Sequence, residues 1–194
     1  MRALLRLAFV VSLSGCAPDL RVDHPFDGET TAGPLVVATD LEGGGKQLLI
    51  DATNKMSQVY VDLDEGREMK PDEAFSSNGW DLSLKRFDIS VNSGASGPTG
   101  TVEVAVLKDV DYATLAQAPA SGFSTDTGGR IFNTVDEGWY FYDLSVHRLV
   151  TRTELVYVLH TSAGRYVKLR MLSYYDEHGT PASISLEYAP IAAP

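Results

Sequence analysis

The chain has 194 residues, 44% of them hydrophobic, with 16 basic against 26 acidic side chains and a formal charge of -10. That length suits one domain, or a domain with a tail, and is enough for a real core. The negative balance argues against nucleic acid or anionic headgroups as partners, and a single cysteine excludes an intrachain disulfide or a thiolate zinc cage.

The chain opens with Arg2 and Arg6, an apolar run over residues 7–13, and then Leu13-Ser14-Gly15-Cys16. A charged head, a short apolar middle and small residues at the cut make an export signal. The run is too short to span a bilayer. Cysteine after Leu-Ser-Gly resembles the lipobox of bacterial lipoproteins. That likeness implies cleavage after residue 15, lipidation of Cys16 and attachment to a membrane by acyl chains alone. Removing the leader takes Arg2 and Arg6 with it, which leaves 179 residues, 14 basic against 26 acidic groups and a charge of -12. Cys16 is then committed, so thiol catalysis is not expected. Residues 16–33 are polar, contain two prolines and read as a lipidated tether, with His24 solvated within it.

From residue 34 the pattern is strand. Residues 35–39 and 47–52 are short apolar runs separated by a glycine-rich turn, and 59–63 continue the theme. Residues 80–92 alternate, with Trp80, Leu82 and Leu84 on one face, and then change phase near Arg86 so that Phe87, Ile89 and Val91 share the next; the slip predicts a bulge. Residues 92–100 form a loop, and 101–107 alternate again through Val102, Val104 and Val106. Residues 111–117 offer one helical turn or two, and 118–130 are loop. Four more strand-like segments follow at 139–144, 154–161, 166–175 and 182–189; the last three are joined by turn residues as an antiparallel meander. β-branched and aromatic residues dominate. The expected class is all-β with antiparallel sheets and few or no long helices, as a sandwich or a barrel.

Several of these residues together resemble the HmuY family of lipid-anchored, mostly β bacterial proteins. They are Trp80-Asp81, Phe87, Asn92-Ser93-Gly94, Trp139-Tyr140, Tyr157-Val158, Gly164, Tyr166, Lys168-Leu169, Ser173-Tyr174-Tyr175, Gly179 and residues 184–188. The resemblance covers roughly residues 35–188 and implies an HmuY-like domain over 34–194 that captures heme or a related tetrapyrrole at the cell envelope. It further implies an outer-membrane location and transfer of the ligand to an outer-membrane heme transporter. Large aromatics at strand spacing are first of all core packing, so the likeness bears on the fold before it bears on heme.

Heme capture needs a flat apolar cleft and His, Met or Tyr donors for the iron. The resemblance places one donor downstream of the Trp139-Tyr140 strand, where His147 stands. The other would come from residues 108–138, which hold no histidine and no methionine but do hold Tyr112, Phe123 and Asp126. The second ligand is therefore unassigned. His160 ends a strand, His178 sits in a turn, Met171 reads as core filler, and nothing directs Met56 or Met69 to a cleft. Arg130, Arg148 and Arg152 could pair with propionates, against the ordinary reading of solvated charge. Beyond heme iron no metal is expected: Asp62, Asp64 and Glu65 could hold calcium but lack the pattern of a calcium hand and read as solvated charge. No Gly-x-Ser-x-Gly elbow is present. Gly43-Gly44-Gly45-Lys46 lacks the spacing and following helix of a phosphate loop, so catalysis is not expected. The competing reading is a non-heme envelope lipoprotein, a protein-interaction or surface-structural module that kept the fold without the ligands.

Overall fold

The computed structural model describes residues 33–126 and 131–194. The leader, Cys16, His24, all of the tether except Gly33, and Arg130 lie outside the described residues. Among the described residues there are twelve strands: β1 (Val36–Asp40), β2 (Lys46–Asp51), β3 (Val59–Asp62), β4 (Arg67–Met69), β5 (Leu82–Lys85), β6 (Asp88–Val91), β7 (Glu103–Lys108), β8 (Tyr140–Asp143), β9 (Arg148–Thr151), β10 (Leu155–His160), β11 (Tyr166–Tyr175) and β12 (Pro181–Pro190). Helix among the described residues is confined to single 3-10 turns at Ala74–Ser76 and Ile131–Asn133. None is long and apolar enough to cross a membrane.

Every strand pairing is antiparallel. One sheet has the order β1-β2-β12-β11-β10-β7, a second the order β4-β3-β5-β6, and β8-β9 stand apart as a ribbon. Period-two burial explains how the sheets meet. On β12, Ala182, Ile184, Leu186 and Tyr188 are buried while the residues between them are partly exposed. They share one core with Val59 and Val61 of β3 and with Leu82 and Leu84 of β5. The two sheets therefore close on a common apolar interior, as a sandwich does.

β10 is buried on both faces from Leu155 to Leu159. Tyr157 joins the main core, and Val158 joins a smaller cluster with Ala105 and Ala118 on the sheet's other side. The segment that covers this outer face is the one the sequence left open between one helical turn and two. It forms a single turn closed by Leu115 N–H donating to the Asp111 carbonyl at 3.2 Å. The Lys168 ammonium donates to the Tyr112 and Leu115 carbonyls at 2.6 and 2.8 Å and lies 4.7 Å from the Tyr112 ring centre.

Two expectations need correction. The phase change at Arg86 is a hairpin, not a bulge: Lys85 pairs with Asp88 across a two-residue turn in which Arg86 adopts φ 57. Reversing the chain switches the inward set as effectively as inserting a residue. Phe87 consequently lies at the turn, exposed, rather than on the face of Ile89 and Val91. Two short strands, β4 and β9, pair in segments where no strand was read, because three or four residues carry too little alternation to stand out.

Candidate functional site

The β8-β9 ribbon carries the sequence-nominated donor. Its base is fixed. The buried Trp139 indole N–H donates to the Phe87 carbonyl at 3.0 Å, and the Arg152 guanidinium donates to the Val135 and Asp136 carbonyls at 2.8 and 3.0 Å. On the other side, Leu149 N–H donates to the Tyr175 hydroxyl at 3.1 Å and the Arg148 guanidinium lies 4.1 Å from the Tyr175 ring centre.

The tip is open. Asp143 pairs with Arg148, so residues 144–147 are the turn. Asp143 Oδ1 accepts from the Ser145 backbone N–H and hydroxyl at 2.8 and 2.6 Å. Those bonds hold its carboxyl below the usual carboxylate range. Phe141 and Tyr142 are exposed, as are Leu144 at 76% and Val146 at 57%. Four large apolar side chains facing water on one hairpin form the kind of surface that marks a binding site.

His147 ends the turn at φ 51 and is exposed. Its Nδ1 lies 3.3 Å from the Tyr142 hydroxyl. For Nε2 to bind a metal, Nδ1 must carry the ring proton and donate it to that oxygen, which fixes the ring as an outer partner fixes a metal-bound histidine. Tyr142 brings a phenolic oxygen beside the imidazole, so two donor types suited to iron stand side by side. The sequence reading placed Tyr142 only within a strand. Its signal was spacing: a four-residue turn between β8 and β9 brings residues 142 and 147 together, but β9 had to be recognised first.

The other candidates are engaged elsewhere. His160 stacks on Tyr166 at 4.6 Å between ring centres and lies 3.9 Å from Glu103. His178 is exposed in the β11-β12 turn, 3.4 Å from Glu177. Met171 is buried core, Met69 is half-buried on β4, and Met56 is 88% exposed in the loop before β3. Arg148 and Arg152 hold the ribbon, as above, rather than standing as free surface charge. In the interval expected to supply a second donor, Tyr112 lies beside Lys168 and Arg170, and Phe123 packs edge-on against Tyr166. Asp126 is buried and accepts from Val91 N–H, Ile131 N–H and the Ser96 hydroxyl. None of the three joins His147.

The HmuY protein family model matches residues 54–146. The fold is shared with the apo HmuY analog of Tannerella forsythia at TM-score 0.55 and 18% identity, covering 79% of this chain and 95% of that one. A Bacteroides vulgatus protein described as HmuY-like and heme-binding matches at TM-score 0.55 and 16% identity, covering 80% and 97%. A Bacteroides fragilis protein described as a lipoprotein matches at TM-score 0.53 and 19% identity, covering 82% and 96%. At these identities the likeness is one of fold. No curated protein matches the chain.

Proposed function

We propose, from the match of the HmuY family model to residues 54–146, that this chain is a cell-envelope lipoprotein that captures heme or a related tetrapyrrole without catalysis. The observation that carries the reading is the ribbon tip, where His147 and Tyr142 stand among exposed apolar side chains. A porphyrin laid on Phe141, Leu144 and Val146 removes apolar surface from water on both partners, and the adjacent imidazole or phenol supplies an iron ligand. Acylation at Cys16 holds the domain at the envelope, with the outer membrane as its site and an outer-membrane heme transporter as the recipient.

Titrating the purified protein with ferric heme tests the reading. Saturable binding with a shifted Soret band is expected, weakened by about tenfold or more in His147→Ala through loss of an axial bond. An unshifted spectrum in both the ferric and the ferrous state would rule heme out. Intact-mass analysis of membrane-extracted protein tests the anchor: a diacylglyceryl adduct at residue 16 is expected and should vanish in Cys16→Ser.

One observation favours the alternative module. Residues 108–138 lack histidine and methionine, and Tyr112, Phe123 and Asp126 are held in the fold. On that reading the same exposed ribbon docks a protein. Absence of heme binding, together with loss of a co-purifying envelope partner on ribbon substitution, would select it.

A further inference from the structure

A second constellation lies between the sheets, on elements other than the ribbon. Asp62 ends β3, Asp64 sits in the β3-β4 turn and Asp81 precedes β5. One carboxylate oxygen from each lies within 4.8 Å of the others, the greatest separation two oxygens can have when each is about 2.4 Å from one ion. The sequence reading of solvated charge fails for Asp64, and Asp81, which that reading did not include, joins it out of water. Asp81 is fully buried and the Asp64 side chain is 5% exposed.

Their ordinary partners are too few for the charge. Asp81 accepts one N–H on each oxygen, from Ser162 at 2.7 Å and Leu63 at 2.8 Å. Asp62 Oδ1 accepts from Asp64 and Glu65 N–H. Asp64 Oδ1 lies 3.1 Å from Arg165 Nε, whose side chain is 61% exposed. Neither Asp64 oxygen has a hydrogen bond of good geometry among the described residues.

An independent group converges on the same place from the other sheet. Tyr188 of β12 is 3% exposed and its hydroxyl has no hydrogen-bond partner among the described residues. That oxygen lies 2.9 Å from where a Cβ on Gly66 would stand, in the turn that carries Asp64. Burial, then Asp62, Asp64 and Asp81 in turn, hold the phenol protonated. A buried hydroxyl without a partner, beside carboxylates whose own bonds are few for their charge, costs free energy unless something sits between them.

We propose that Asp62, Asp64 and Asp81, with the Tyr188 hydroxyl beside them, form a site for a hard divalent cation, calcium in the first instance. An all-oxygen, multiply charged donor set selects that class over softer metals. The ion ties the β3-β4 turn of one sheet to β12 of the other, and through Asp81 to the β10-β11 turn. Its role is to brace the sandwich, independent of any ligand at the ribbon.

The test uses the full chain, stripped with chelator and titrated with calcium and separately with magnesium. At a hundredfold excess of calcium over Kd, Tm should rise by about 5 °C. Terbium placed in the site should show luminescence sensitised through Tyr188, displaced by calcium. Asp64→Asn should match or exceed the wild-type Tm in chelator and lose the calcium-dependent rise. Tyr188→Phe keeps the buried ring and should bind calcium at least tenfold more weakly, which decides the matter should the first variant fold poorly. Magnesium giving the larger rise would replace calcium as the occupant. Wild-type Tm indifferent to both ions with no sensitised terbium emission, or a calcium rise undiminished in the variants, would overturn the site.

Discussion

Gly94 adopts φ 54, and a Cβ there would stand 2.5 Å from the Asp126 carbonyl oxygen. Ala95 N–H donates to that oxygen at 2.7 Å, while Asp126 N–H donates to the Ser93 hydroxyl at 3.1 Å. The Asn92-Ser93-Gly94 signature thus closes the loop that follows β6 onto a buried carboxylate. Gly94→Ala is expected to cost roughly 2 kcal/mol or more, from left-handed strain plus the clash, measured by denaturant unfolding. Asp126→Ala strands Val91 N–H, Ile131 N–H and the Ser96 hydroxyl and should cost about 3 kcal/mol. A loss under about 0.5 kcal/mol, the range of an ordinary surface change, would show that this hub is dispensable. The large aromatics read the same way. The indole N–H of Trp80 donates to the Ala74 carbonyl at 3.0 Å, and the Tyr157 hydroxyl donates to the Glu137 carbonyl at 2.8 Å. These two rings are core with a satisfied polar end, as their pattern indicated.

At the scale of elements, the ribbon differs from the sheets it leans on. Strands such as β3 and β12 bury one side chain in two, whereas β8 and the turn after it expose Phe141, Tyr142, Leu144 and Val146. A hairpin whose tip buries nothing is held by its base alone. Replacing Leu144 and Val146 together by serine should therefore change unfolding free energy by less than about 0.5 kcal/mol per site. The same pair of changes should weaken heme binding, since the removed surface is what the porphyrin would cover. A large stability loss without any change in heme titration would make the tip a structural element instead. The short strands explain why this site was half legible. His147 was found from its place after Trp139-Tyr140, but its pairing with Tyr142 depends on β9, whose four residues show no clear period.

Across the whole molecule, several tyrosines are taken wholly or partly out of water, and their ionisation reports on the fold. Desolvation holds the phenols of Tyr112, Tyr157 and Tyr188 protonated well above the usual tyrosine range. The folded chain keeps protons that the unfolded chain would release, so these groups support the fold fully below about pH 10 and progressively less as pH rises beyond it. In an alkaline titration these three should ionise only in step with loss of near-ultraviolet circular dichroism. A single smooth titration of all nine tyrosines with the dichroism intact would contradict the burial.

Alternation of apolar residues determined the class of fold, because a pleated strand exposes every second side chain and the sequence carries that period directly; the Trp and Tyr positions followed for the same reason. Tertiary structure alone decided what lies far apart in the chain and close in space. The reversal at Arg86, the pairing of β9, and the meeting of Asp64, Asp81 and Tyr188 each depend on how turns bring strands together. A carboxylate's neighbours along the chain do not reveal whether the opposite sheet will take it out of water, so Asp64 reads as solvated charge until β12 is folded against it.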